Sequence, residues 1–73
     1  MSKLPIISGQ ECVKALKKAG FHFKRQKRSH ISIVREEPFA LVVIPDHKEL
    51  DRGTLRAIIR QAGLSIEEFI SLL

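Results

Sequence analysis

A chain of 73 residues with 13 Lys and Arg against 8 Asp and Glu carries a formal net charge of +5 and a pI near 9.9, which leaves room for one domain and points to an anionic partner, nucleic acid being the simplest. Apolar residues at 44% and charged ones at 29% argue against disorder, and no stretch approaches the ~20 apolar residues that cross a bilayer. The N-terminal run Met1-Ser2-Lys3-Leu4-Pro5-Ile6-Ile7 lacks an apolar segment of signal-peptide length, and the lone Cys12 has no disulfide partner, so a soluble protein of the reducing cytoplasm is expected, with no membrane contact.

Ser8-Gly9-Gln10-Glu11 has the spacing of a capping box, in which the serine hydroxyl accepts from the third helical amide and the glutamate reaches back. Cys12, Val13, Leu16 and Ala19 then recur at helical spacing opposite Lys14, Lys17 and Lys18, and Gly20 supplies a left-handed stop, which predicts an amphipathic helix over about residues 9–19. Cys12 is expected to be a small buried side chain of that helix rather than a reactive thiol.

From Phe21 the period becomes two, with Phe21 and Phe23 on one side and His22 and Lys24 on the other, as in a strand with one buried face. Lys27-Arg28-Ser29 reads as a tight charged turn. His30 to Arg35 alternates again: Ile31 and Ile33 share one face, and His30, Ser32 and Val34 the other, so His30 should face away from the aliphatic core. After a second turn at Glu36-Glu37-Pro38, Phe39-Ala40-Leu41-Val42-Val43-Ile44 is apolar enough to predict the most buried strand of a three-stranded antiparallel meander, stopped by Pro45.

Asp46 to Leu50 forms a polar connection, and Asp51, with Thr54 three residues on, can cap a second helix. Its apolar stripe is Leu55, Ile58, Ile59 and Ala62; Arg52, Arg56 and Arg60 form a basic one at four-residue spacing, and Gly63 ends it. Ser65 with Glu68 repeats the capping box and opens a short last helix carrying Ile66, Phe69, Ile70, Leu72 and Leu73. A three-stranded sheet with one apolar face needs a covering layer, which the amphipathic helices supply, leaving a wet face that carries His30.

The run Lys24-Arg25-Gln26-Lys27-Arg28-Ser29-His30-Ile31-Ser32-Ile33-Val34 is where chemistry concentrates. Cations neutralise phosphates, and an imidazole moves protons near neutral pH, so the run fits a site that binds RNA or DNA and cuts it. Lys24, Arg25, Lys27 and Arg28 are candidate phosphate contacts, against the usual fate of a charge run as a solvated hairpin. His22 shares the outward parity of His30, although a solvated strand residue is the simpler reading of it. The Arg52, Arg56 and Arg60 stripe could extend the basic track or merely face water. A zinc site is not expected, because close-spaced ligand pairs are absent.

Several segments together resemble the HicA (YcfA-like) toxin family. They are Leu4 to Gly9 leading into the first helix, Gly20-Phe21, Arg25-Gln26-Lys27-Arg28-Ser29-His30, Val43-Ile44-Pro45-Asp46-His47-Lys48-Glu49-Leu50, the run Arg52 to Ser65, and Glu67-Glu68-Phe69. The resemblance covers nearly the whole chain. It implies an α+β, two-layer, double-stranded-RNA-binding-domain-like fold of helix, three-stranded antiparallel sheet, helix and short C-terminal helix. It also implies an endoribonuclease that cleaves mRNA without the ribosome, and inhibition by a HicB-like antitoxin.

In that family the functional histidine lies in a Gly-Ser-His pattern, which maps onto Ser29 and His30 here, with Arg28 where glycine is usual. If the glycine serves a left-handed turn, Arg28 strains it; otherwise Arg28 adds a phosphate contact. His47 falls in the family's Pro-x-His pattern and is a further candidate for RNA contact, as are Ser29 and Ser32. The expected chemistry is attack of the RNA 2′-hydroxyl on the adjacent phosphate, with His30 filling one proton-transfer role and no metal or other cofactor required. Two readings stay open beside it: a non-catalytic RNA-binding module of the same fold, and a basic protein-interaction module that meets only an acidic partner.

Overall fold

A computed structural model describes residues 3–73, so the Met1-Ser2 end of the N-terminal reading lies outside the described residues. The elements follow one another as α1 (Gly9–Lys18), β1 (His22–Lys27), β2 (His30–Glu36), β3 (Phe39–Pro45), α2 (Arg52–Gln61) and α3 (Ile66–Ile70). The sheet has the order β1-β2-β3 with both pairings antiparallel, and the helices cover one of its faces. This is the double-stranded-RNA-binding-domain-like arrangement of two layers, and its shortest extent of 17 Å has no room for a third.

Each helix begins as its sequence dictates. Ser8 Oγ accepts from the Glu11 amide at 3.0 Å while a Glu11 carboxylate oxygen accepts from the Ser8 amide at 2.8 Å, and Ser65 with Glu68 repeats the exchange at 3.0 and 2.7 Å. The Asp51 carboxylate accepts from the Thr54 amide at 3.3 Å. Gly20 and Gly63 take φ values of 97° and 77° directly after α1 and α2, as the left-handed stop requires.

One core unites the layers. Cys12, Val13, Ala15 and Leu16 of α1 and Leu55, Ile58 and Ile59 of α2 pack with Ile31, Ile33, Val42 and Ile44 of the sheet, joined by Phe21 from just before β1 and Phe69 of α3. Fully burying one such aliphatic side chain contributes roughly 1.5–3 kcal/mol, so a core of this extent is what offsets the ordering entropy of so short a chain. Burial drives the Cys12 thiol up from its ordinary 9.0 to about 12, leaving it protonated and unreactive at neutral pH.

Three expectations need correction. The most buried strand is β2 rather than β3, because β2 is paired on both sides whereas β3 is an edge whose Phe39, Leu41 and Val43 stay exposed. β1 has no buried face: its six residues are all exposed, and Phe23, opposite Ile33, keeps 52% of its surface in solvent, whereas Phe21, just before the strand, is buried in the core as expected. The face turned away from the helices is not uniformly wet either. Val34 is buried there, outside the main core, with Leu41 directly across from it.

Candidate nucleic-acid interface

The β1–β2 hairpin closes on two residues, Arg28 and Ser29, between the paired Lys27 and His30. Arg28 has φ 57° and Ser29 does not share that sign, so the first loop residue alone takes the left-handed conformation that glycine adopts without penalty. Of the two alternatives for this position, the left-handed turn is therefore the one realised. Arg28 keeps its cation exposed at the tip all the same.

A bulge sorts the side chains of β1. The register runs Phe23 opposite Ile33 and then Arg25 opposite Ser32, so two steps on β1 match one on β2 and Lys24 has no partner. Were the ladder regular through Lys24, Arg25 and Lys27 would keep the parity of Phe23 and face the helices. With the bulge, Arg25 lies across from Ser32 and Lys27 across from His30, and directly opposed residues share a face. The open face of the sheet thus gathers Arg25, Lys27, His30 and Ser32 at its hairpin end.

The His30 side chain is exposed and has no hydrogen-bond partner among the described residues, so its imidazole is available to a bound molecule. Lys24 and Ser29 are exposed beside this group, Ser29 in the loop and Lys24 at the bulge. His22 lies elsewhere: its Nε2 sits 3.1 Å from both Glu36 carboxylate oxygens, at the far end of β2, and does not join the hairpin group. So exposed a contact adds little to stability.

His47 follows β3, exposed, while its backbone carbonyl accepts from the Gly9 amide at 2.9 Å. That bond, with Leu50 N–H donating to Ile7 O at 2.9 Å, seats the 46–50 connection on the entry to α1. Arg52, Arg56 and Arg60 point outward from α2, whose opposite side packs on the sheet, so the helix layer separates them from the hairpin group. Among the described residues no cluster of three or more His, Cys, Asp or Glu is placed to hold a metal ion, and no helix is long and apolar enough to cross a membrane.

Sequence reasoning missed a set of polar contacts behind the hairpin. Gln26 Nε2 donates to Arg28 O at 3.1 Å and to Asp46 Oδ2 at 3.3 Å; Gln10 Nε2 donates to Asp46 Oδ1 at 3.1 Å; and the Asp46 amide donates to Ser29 O at 2.6 Å. The two side chains that grip the Asp46 carboxylate lie 20 and 36 positions from it, and no local pattern announces such a meeting. Also unforeseen was the apolar stripe of Phe39, Leu41 and Val43, which continues the open face away from the basic end.

The family model described as the HicA toxin of bacterial toxin-antitoxin matches residues 9–64, from the first residue of α1 to the turn after α2. No curated protein matches the chain.

Proposed function

The chain belongs to the HicA toxin family of bacterial toxin–antitoxin systems, and from that premise we propose that it is an endoribonuclease of the cytoplasm that cleaves mRNA with His30 as its catalytic group. The observation that carries the reading is the hairpin end of the open sheet face, where an unpartnered, exposed imidazole stands directly across from Lys27 and two rows from the Arg25–Ser32 pair. RNA brings its own nucleophile. When a base takes the 2′-hydroxyl proton, the oxygen attacks the adjacent phosphorus and the 5′-oxygen leaves with a proton from an acid; His30 serves one of these transfers. Such help is worth on the order of 10²- to 10⁴-fold. Lys27, Arg25 and Arg28 neutralise the phosphate and the charge that builds on its oxygens, Lys24, Ser29, Ser32 and His47 extend the contact to the strand, and the scheme routes no step through a metal.

Membership of the family implies an antitoxin partner. We assign this role to a HicB-like protein that covers the open face, where the basic end attracts acidic groups and Phe39, Leu41 and Val43 offer apolar area. A second reading draws support from the absence of a carboxylate opposite His30 in the register: the face binds RNA without cutting it.

One experiment separates them. Wild type and His30→Ala are incubated with a long single-stranded RNA in EDTA, with cleavage and binding followed in parallel. Cutting by the wild type and binding without cutting by the variant, a loss of about 10²-fold or more, supports the nuclease. Binding by both without cutting leaves the RNA-binding module, and equal cutting by both removes His30 from the chemistry.

A further inference from the structure

The loop that carries Arg28 into His30 is held from behind. Arg28 adopts a backbone conformation that L-residues rarely occupy, and such a conformation persists only where its surroundings over-determine it. Both carbonyls of the two-residue loop are tied down. Gln26 Nε2 takes the Arg28 carbonyl, and the Asp46 amide takes that of Ser29. The two ties converge on one residue: the Asp46 backbone amide makes the second, and the Gln26 side-chain amide that makes the first also donates to Asp46 Oδ2, while Gln10 Nε2 holds Asp46 Oδ1 from the first turn of α1. Asp46 cannot drift, since the next residue's carbonyl is bonded to the Gly9 amide.

These contacts lie on the side of the sheet opposite the basic face. Gln26 pairs with Ile31, whose side chain is in the core, whereas Lys27 pairs with His30 and shares its open side. The Asp46 carboxylate therefore meets Gln10 and Gln26, and through Gln26 the loop, without reaching the surface assigned to RNA.

We propose that Asp46 is a positioning residue: gripped by Gln10 and Gln26, its carboxylate fixes the chain from Lys27 to His30 so that the imidazole is presented at a set distance from the phosphates held by the loop cations. The proposal rests on the assignment of His30 made above. Its kinetic signature is a split. Misplacing a reacting group by about 1 Å costs on the order of 10²-fold in rate, so loosening the loop lowers the saturated cleavage rate. Asp46 lies off the basic face and its replacement removes no phosphate contact, so the RNA concentration at half-saturation stays level or falls.

The test compares wild type, Asp46→Ala, Asp46→Asn and Gln26→Ala by cleavage kinetics and by amide hydrogen exchange. For Asp46→Ala the expected results are a saturated rate lower by about tenfold or more, unweakened half-saturation, and exchange of the residue-46 amide at least about tenfold faster with the β2–β3 amides unchanged. Asp46→Asn removes the charge but keeps one acceptor, and should recover most of the rate and of the protection. Gln26→Ala breaks the same grip from its other end and repeats the loss, which decides the matter should Asp46→Ala not fold. A wild-type saturated rate in Asp46→Ala or Gln26→Ala overturns the proposal, and so does equal loss in Asp46→Ala and Asp46→Asn with the residue-46 amide still protected, which would make charge the cause. If the wild type binds RNA without cutting, the assignment of His30 falls instead, and hydrogen exchange alone decides whether Asp46 fixes the loop.

Discussion

Arg28 stands at φ 57° between Lys27 and Ser29, and its side chain and its backbone have opposed requirements. The cation is well placed at the tip for a phosphate, while an L-residue in this region of φ and ψ is disfavoured by about 1–2 kcal/mol, part of which glycine returns through the greater freedom of its unfolded chain. Arg28→Gly should accordingly stabilise the protein by about 1 kcal/mol, seen as a rise of roughly 4–8 °C in the thermal midpoint. RNA binding should weaken in the same variant, and the slope of log K against log salt should become shallower by about 0.7, the loss of one phosphate contact to a single strand. A variant that gains no stability would show that the surrounding hydrogen bonds absorb the strain. The position was legible as a question in the sequence, since the resemblance set an arginine where glycine is usual. The sign of its φ was not, because nothing in Lys27-Arg28-Ser29 distinguishes a left-handed first residue from a right-handed one.

At the level of elements, the entry to α1 and the exit from β3 are fitted to each other. A methyl group built on Gly9 would overlap the Pro45 carbonyl oxygen and come within 3.1 Å of the Asp46 Cα, and the Gly9 amide already donates to His47 O. Gly9→Ala should therefore push the 45–47 segment off the helix at a cost of about 3 kcal/mol, near the upper end for inserting a methyl group into packed structure. Urea unfolding measures the loss, and amide shifts at Asp46 and His47 locate it. Here glycine serves a close approach, whereas Gly20 and Gly63 serve a left-handed backbone, and only the latter role was read from the sequence. The strands show the same divide between local and non-local information. Alternation in His30 to Arg35 and the caps at Ser8, Asp51 and Ser65 depend on neighbours in the chain and could be read directly. How much of a strand is buried depends on what pairs and packs beside it, so the continuous apolar run of β3 suggests the most buried strand although it lies at the edge of the meander.

Across the whole molecule, the family match ends at residue 64 but the core does not. Phe69 of α3 is fully buried and belongs to the same cluster as Leu16, Ile33 and Leu55. Phe69→Ala should cost roughly 3–5 kcal/mol, a large share of the 5–15 kcal/mol that holds an ordinary domain together. The unfolding midpoint in urea should fall sharply without a separate transition for α3, since a helix of five residues has no stability of its own. A two-step melt would contradict one shared core. At this scale the sequence was most informative, because the apolar stripes of α1 and α2 and the strand parity of β2 all demand one interior. The faces were less legible: the open side of the sheet carries a basic end and an apolar end, and a one-residue bulge decides which cations join His30.

That bulge bears on how related sequences should be aligned. Lys24 is the residue for which the β1–β2 ladder has no counterpart, so a relative one codon shorter at this point would pair regularly, with Phe23 still opposite Ile33, Arg25 opposite Ser32 and Lys27 opposite His30. A gap placed there preserves every facing assignment on both flanks, whereas loss of the residue between Arg25 and Lys27, with Lys27 still opposite His30, sets Arg25 opposite Ile31 and turns it toward the helices. Length variation in this hairpin is thus neutral at one codon and disruptive at the next, and evolution can lengthen or shorten β1 at Lys24 without disturbing the loop.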